Sequence, residues 1–153
     1  MSLQQQINQD LVQAMKNKEE LKLSTLRMIK TALKNRQVDL QRELEEAEVL
    51  QVLKTLIKQR QDSVEQYTQA GRTDLADTEQ MEIAIIEQYL PPMLSEQQIE
   101  CVVDETIREL GATSLKEMGA VMKTVMGKLA TAVVDGKMVN QMVRSKLSPG
   151  RTN

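Results

Sequence analysis

Between Ser114 and Leu147 the chain sets Lys123, Lys128, Lys137, Arg144 and Lys146 among its basic residues, against only Glu117 and Asp135. Ammonium and guanidinium groups carried on short helices grip a phosphate backbone without any other chemistry, because each contact releases condensed counterions. The helix expected after Asp135-Gly136 would also turn its first N–H groups toward an anion. Lys123, Lys128, Lys137 and Arg144 are the expected phosphate contacts, with Asn140 as a neighbouring hydrogen-bond partner. With two tyrosines as its only aromatic residues, the chain has no platform on which to stack splayed-out bases. A nucleic-acid ligand would therefore be a folded RNA, met through its backbone and shape.

Other chemistry finds little support. There is no histidine, which removes the commonest general base and metal ligand near neutral pH, and with them a Cys–His pair, a Ser–His–Asp triad and His-ligated zinc. Glycines are isolated, so no phosphate-cradling loop is present. Cys101 falls off the apolar stripe of its helix beside Asp104 and Glu105, acids that oppose thiolate formation. Glu79 and Glu82 share a helix face but lack the Glu-x-x-His partner that di-metal bundles use, so they read as a solvated acidic face. No residue is assigned to catalysis, to a metal or to a cofactor.

These residues need elements to hold them, and composition points to helices alone. Three prolines and six glycines leave long stretches of good helix formers, and the core must be Leu, Ile, Val, Ala and Met. Seven helices in two groups are expected: a domain at 1–92 built as a helical hairpin or bundle of about four helices, and a three-helix domain at 93–148. Residues 149–153 read as a disordered tail. Pro91-Pro92 marks the boundary, since the residue before a proline is pushed out of the α region.

In the first group, Leu3, Ile7, Leu11, Ala14 and Met15 form one stripe behind an N-cap at Ser2. Leu23, Leu26, Ile29 and Leu33 form the next, opposite a basic face of Lys22, Arg27, Lys30, Lys34 and Arg36. A long helix over about 43–70 carries Val49, Leu50, Leu53, Leu56, Ile57 and Val64 and ends at Gly71. A fourth helix, capped by Asp74, carries Ala76, Ile83, Ile86 and Leu90.

In the second group, Ser95-x-x-Gln98 and Ser114-x-x-Glu117 are capping-box patterns. The stripes are Ile99, Val102, Val103, Thr106, Ile107 and Leu110, then Leu115, Met118, Met122, Val125 and Leu129, then Val139, Met142, Val143 and Leu147. Gly119 and Gly127 either permit a close helix crossing or, for Gly127, mark a helix end.

Charge is segregated along the chain. Residues 1–36 hold seven Lys/Arg and three Asp/Glu, residues 37–109 six and seventeen, and residues 110–153 seven and two. Such asymmetry can mark a nucleic-acid face, although solvated helices also carry charge for solubility alone. No apolar run is long enough to span a membrane, the amino terminus lacks an apolar signal core, and one cysteine suits a reducing compartment. The expected location is the cytoplasm.

Six segments together resemble the YqeY-like family. They are Leu-Ser-Thr-Leu-Arg-Met-Ile-Lys-Thr-Ala-Leu-Lys-Asn at 23–35, Ile-Lys-Gln-Arg-Gln-Asp-Ser-Val-Glu-Gln-Tyr at 57–67, Ala-Gly-Arg-Thr-Asp-Leu-Ala at 70–76, Glu-Gln-Tyr-Leu-Pro at 87–91, Met-Gly-Ala-Val-Met at 118–122 and Asp-Gly-Lys-Met-Val-Asn at 135–140. The resemblance implies a helical N-terminal part and a small three-helix domain. That small domain is similar to the tail of the GatB subunit of the glutamine-dependent aminoacyl-tRNA amidotransferase, which helps to hold the tRNA. It also implies a basic residue between Lys128 and Asp135, where this chain has Leu-Ala-Thr-Ala-Val-Val.

Three functions follow as expectations. The first is an accessory protein that binds tRNA and serves an amidotransferase or an aminoacyl-tRNA synthetase. The second is a protein-interaction adaptor working through the acidic hairpin at 43–90. The third, suggested by family labels, is a carbon–nitrogen ligase with glutamine as amide donor, which would release ammonia from glutamine. For that last reading no nucleophile with an activating base is visible. The oligomeric state is left open.

Overall fold

The computed structural model describes residues 1–148; the tail assigned to 149–153 lies outside them. Among the described residues the protein is all-α, with seven α-helices, one 3₁₀ turn and no strands. Its contacts divide it between Leu90 and Pro91 into two compact units.

The N-terminal unit holds α1 (Leu3–Lys16), α2 (Glu20–Leu40), α3 (Glu46–Gln69) and α4 (Thr73–Glu87). Each boundary has a local cause. Ser2 caps α1, as the sequence suggests, and a capping box with Gln5 completes the helix start. α3 ends in a Schellman turn: Gly71 takes φ +73°, and Arg72 N–H donates to the Tyr67 carbonyl at 2.8 Å. Asp74, expected to cap α4, instead sits inside its first turn and pairs with Arg72 at 3.2 Å. Carboxylates near a helix start are favoured there even without the cap geometry.

Leu26, Ile29, Leu33, Val49, Leu53, Ile83 and Ile86 form the core of this unit with Ile7 and Ala14. Three further buried groups carry polar atoms. Thr25 donates to the Leu21 carbonyl at 2.8 Å and so satisfies its hydroxyl within its own helix. Arg60 is only 7% exposed, and Tyr89 is 5% exposed. Met15, placed on the α1 stripe by its spacing, is 49% exposed although its neighbour Ala14 is fully buried, because it lies about 80° around the helix from Ile7, past the edge of the packed face.

The C-terminal unit holds α5 (Glu96–Leu110), a 3₁₀ turn (Leu115–Glu117), α6 (Met118–Lys128) and α7 (Gly136–Leu147). Its core is Ile99, Val103, Val121, Val125, Leu129, Val139, Val143 and Leu147. Val121, absent from the expected stripe, is fully buried, while Leu110 and Leu115 are 47% and 41% exposed. The second capping box explains the shift along α6, whereas Leu110 is the last residue of α5. Ser114 makes no side-chain cap, and Glu117 instead accepts the Thr113 N–H at 2.6 Å, so a 3₁₀ turn precedes α6 and changes its phase. A Cβ added at Gly119 or Gly127 would meet nothing within 4 Å, so neither glycine permits a close crossing. The apolar segment 129–134 also has a structural job. Ala132 and Val134 pack on the core, and Leu94 N–H donates to the Val133 carbonyl at 2.8 Å.

Candidate nucleic-acid interface

α7 starts where Asp135 caps it. Its carboxylate accepts the Lys137 N–H at 3.0 Å and the Met138 N–H at 3.4 Å. That satisfies part of the helix start, and the expected anion position at this N-terminus is already taken by the chain's own carboxylate. The helix therefore contributes through side chains. Buried Val139, Val143 and Leu147 fix its orientation, and Lys137, Asn140 and Arg144, at i, i+3 and i+7, are left on one exposed face. Among the described residues no ion pair engages Lys137 or Arg144.

The other two expected contacts do not join that face. Lys123 is exposed on α6, five residues before Lys128 and thus about 140° around the helix from it. Lys128 leans against α5, its Nζ 2.8 Å from Glu109 Oε2. The ammonium holds the Glu109 carboxyl below the usual carboxylate range. Lys146 is held twice, 2.8 Å from Asp104 Oδ1 and 3.2 Å from Glu100 Oε1. Its pKa is raised, first by the hydrogen bond to Asp104 and then by Glu100, against the opposing effect of burial. The five named residues thus divide into an open stripe on α7 (Lys137, Asn140, Arg144), an outlying Lys123, and a Lys128 that is already paired.

Segment counts missed the role of α5. Residues 91–148 hold seven Lys/Arg and seven Asp/Glu, so the described part of this unit is neutral, while the stretch from 110 onward reads as basic. The signal was available in Glu100 and Asp104, spaced four apart at the edge of the Ile99–Val103 stripe, and in Glu109 at its other edge. Summing charge over the three helices that share one core would have revealed it. Cys101 is exposed and free on the same helix.

In the N-terminal unit the basic face of α2 is narrower than expected. Arg27, Lys30 and Lys34 share an exposed face at i, i+3 and i+7. Arg36 turns toward α3, where it shares a groove with Glu48 and Gln51, and Lys22 is half-buried. Lys30 and Lys34 also line a groove of about 620 Å³ whose floor includes Ile7 and Leu33. The acidic hairpin spends part of its charge internally. Arg60 Nε donates to Glu82 Oε2 at 2.9 Å, and its Nη1 donates to the Leu56 carbonyl at 2.9 Å. Glu82 is therefore the partner of a buried cation rather than part of a solvated pair with Glu79. Tyr89 Oη donates to Asp10 Oδ2 at 2.5 Å, and its pKa is strongly raised, first by burial and then by Asp10.

Comparison with known proteins adds two findings. The family model described as Yqey-like protein matches residues 4–147. Several fungal relatives carry the name "Altered inheritance of mitochondria protein 41, mitochondrial". The one from Vanderwaltozyma polyspora is 32% identical over 146 residues, covering 92% of this chain and 77% of its own. The one from Lachancea thermotolerans is 36% identical over 107 residues, covering 68% and 57%. The one from Meyerozyma guilliermondii is 30% identical over 147 residues, covering 94% and 75%. Those relatives are named as mitochondrial, and among the described residues of this chain no helix is long and apolar enough to cross a membrane.

Proposed function

This chain belongs to the family of Yqey-like proteins, and from that premise we propose that it is an accessory protein whose C-terminal unit binds tRNA through the exposed face of α7. One observation carries the reading. Lys137, Asn140 and Arg144 stand together at helical spacing on a solvent-facing surface, while Lys128 and Lys146 in the same unit are spent on carboxylates. Two unneutralised cations flanking an amide suit a phosphate backbone, to which Lys and Arg donate and from which counterions are released. Lys123 adds a third cation from α6. The similarity of the small domain to an amidotransferase tail supports tRNA over other folded RNAs. It also makes an amidotransferase or a synthetase the partner that would receive the tRNA. The carbon–nitrogen ligase named in family labels is then a property of such a partner. The cytoplasm is the compartment proposed for this chain.

The test is a titration of unfractionated tRNA at several salt concentrations. Three phosphate contacts give a log–log slope between about −2 and −3, and Lys137→Ala with Arg144→Ala removes roughly two-thirds of it. Absence of binding at 50 mM salt, or equal binding by the double variant, would sink the proposal and turn attention to the acidic hairpin as a protein-docking surface.

A further inference from the structure

Among the described residues of the C-terminal unit, every lysine held in an ion pair is held by α5. Glu100 and Asp104 lie on one edge of the buried Ile99–Val103–Thr106 stripe and face Lys146 of α7. Glu109, half a turn around the helix, lies on the other edge and faces Lys128 of α6. Carboxylates therefore line both flanks of the helix. We propose that these α5 carboxylates act as an internal substitute for phosphate, holding Lys128 and Lys146 so that RNA is turned away from them and toward the α7 stripe and Lys123.

This inference rests on the RNA reading above and adds to it a device for specificity. Pairs this exposed contribute little to folding, since side-chain entropy and solvent screening offset most of the attraction. Their effect on an approaching polyanion is larger. A phosphate that sought Lys128 would have to displace Glu109 and then lie beside it, and like charges at contact distance oppose binding. A flank that repels the ligand beside a stripe that attracts it favours one orientation of the complex, as added contacts would. The neutral balance of residues 91–148 has the same consequence, because indiscriminate binding to any polyanion is suppressed.

The experiment uses the full chain and unfractionated tRNA. Glu109→Gln keeps the size and helix propensity of the side chain but frees Lys128. It should steepen the salt slope by about 0.9 and tighten binding at 50 mM salt by on the order of 10-fold. Adding Lys128→Ala should abolish that gain. Glu96→Gln, which removes one charge from the same helix without touching an ion-paired lysine, should give a clearly smaller effect. The proposal is overturned if Glu109→Gln binds as the parent does, if Glu96→Gln matches it, or if the gain survives Lys128→Ala. Binding by Glu109→Gln where the parent binds nothing would support the shield and remove the parent's proposed role. Binding by neither protein would remove both.

Discussion

The two units use charge in opposite ways. In the N-terminal unit Arg60 and Glu82 have side chains only 8% and 16% exposed, packed against a core of leucine, isoleucine and valine. In the C-terminal unit the comparable pair, Lys128 and Glu109, is 32% and 50% exposed, and the core is aliphatic apart from Thr106. Thr106 is satisfied by the Val102 carbonyl at 2.7 Å. A buried pair fixes architecture, because each partner would be left as an uncompensated charge without the other. A surface pair is exchangeable, since water and salt substitute for either partner at small cost. The contrast assigns the Arg60–Glu82 pair to folding and leaves Lys128 and Glu109 exchangeable.

That contrast is broken or sharpened most directly at Arg60. Arg60→Ala removes the partner of Glu82 and the donor to the Leu56 carbonyl, with an expected loss of about 3 kcal/mol. Lys128→Ala should cost less than about 1 kcal/mol. Both tyrosines belong to the N-terminal unit, so tyrosine fluorescence in a urea titration follows that unit alone, while circular dichroism follows both. Equal losses from the two variants would erase the distinction. A smaller effect is expected at Tyr89→Phe, which leaves the half-buried Asp10 carboxylate without its hydroxyl donor. The cost should be about 2 kcal/mol, read from the fluorescence of the remaining Tyr67. An unchanged urea midpoint would show that water replaces the hydroxyl and that Tyr89 serves only as apolar bulk.

Periodicity in the sequence carries the helices and most of the core. Ile7, Leu26, Leu53, Ile86, Ile99, Val125 and Val143 all fall on stripes that the spacing alone defines, and all are buried. Pairings between helices are a different matter. Arg60 and Glu82 lie 22 positions apart, and Tyr89 and Asp10 lie 79 apart, on elements whose contact depends on how four helices pack. A charged residue on a helix reads as solvated until a neighbour covers it. The cationic candidates suffered from the same limit. Lys128 and Arg144 look equivalent as residues, and only the approach of α5 makes one paired and the other open. Local hydrogen bonding shifted the rest, as the 3₁₀ turn before α6 shows by moving Val121 into the core in place of Leu115.

The finest test of the contrast lies beside the buried pair, at Glu79. Its pKa is raised, chiefly by burial and then by the neighbouring charge of Glu82, with Arg60 only partly opposing them. A carboxyl whose folded pKa exceeds its unfolded value binds more protons in the native state. Stability then falls as pH rises from the unfolded pKa through the folded one, and the ionised group remains a burden at neutral pH. Glu79→Gln should therefore stabilise the N-terminal unit at pH 7, by no more than about 0.5 kcal/mol, with the gain shrinking toward pH 4. Urea midpoints at pH 7 and pH 4, read by tyrosine fluorescence, measure it. A loss of stability at pH 7 would mean that Glu79 assists Glu82 in holding Arg60, and the buried charge would then be a three-membered network rather than a pair.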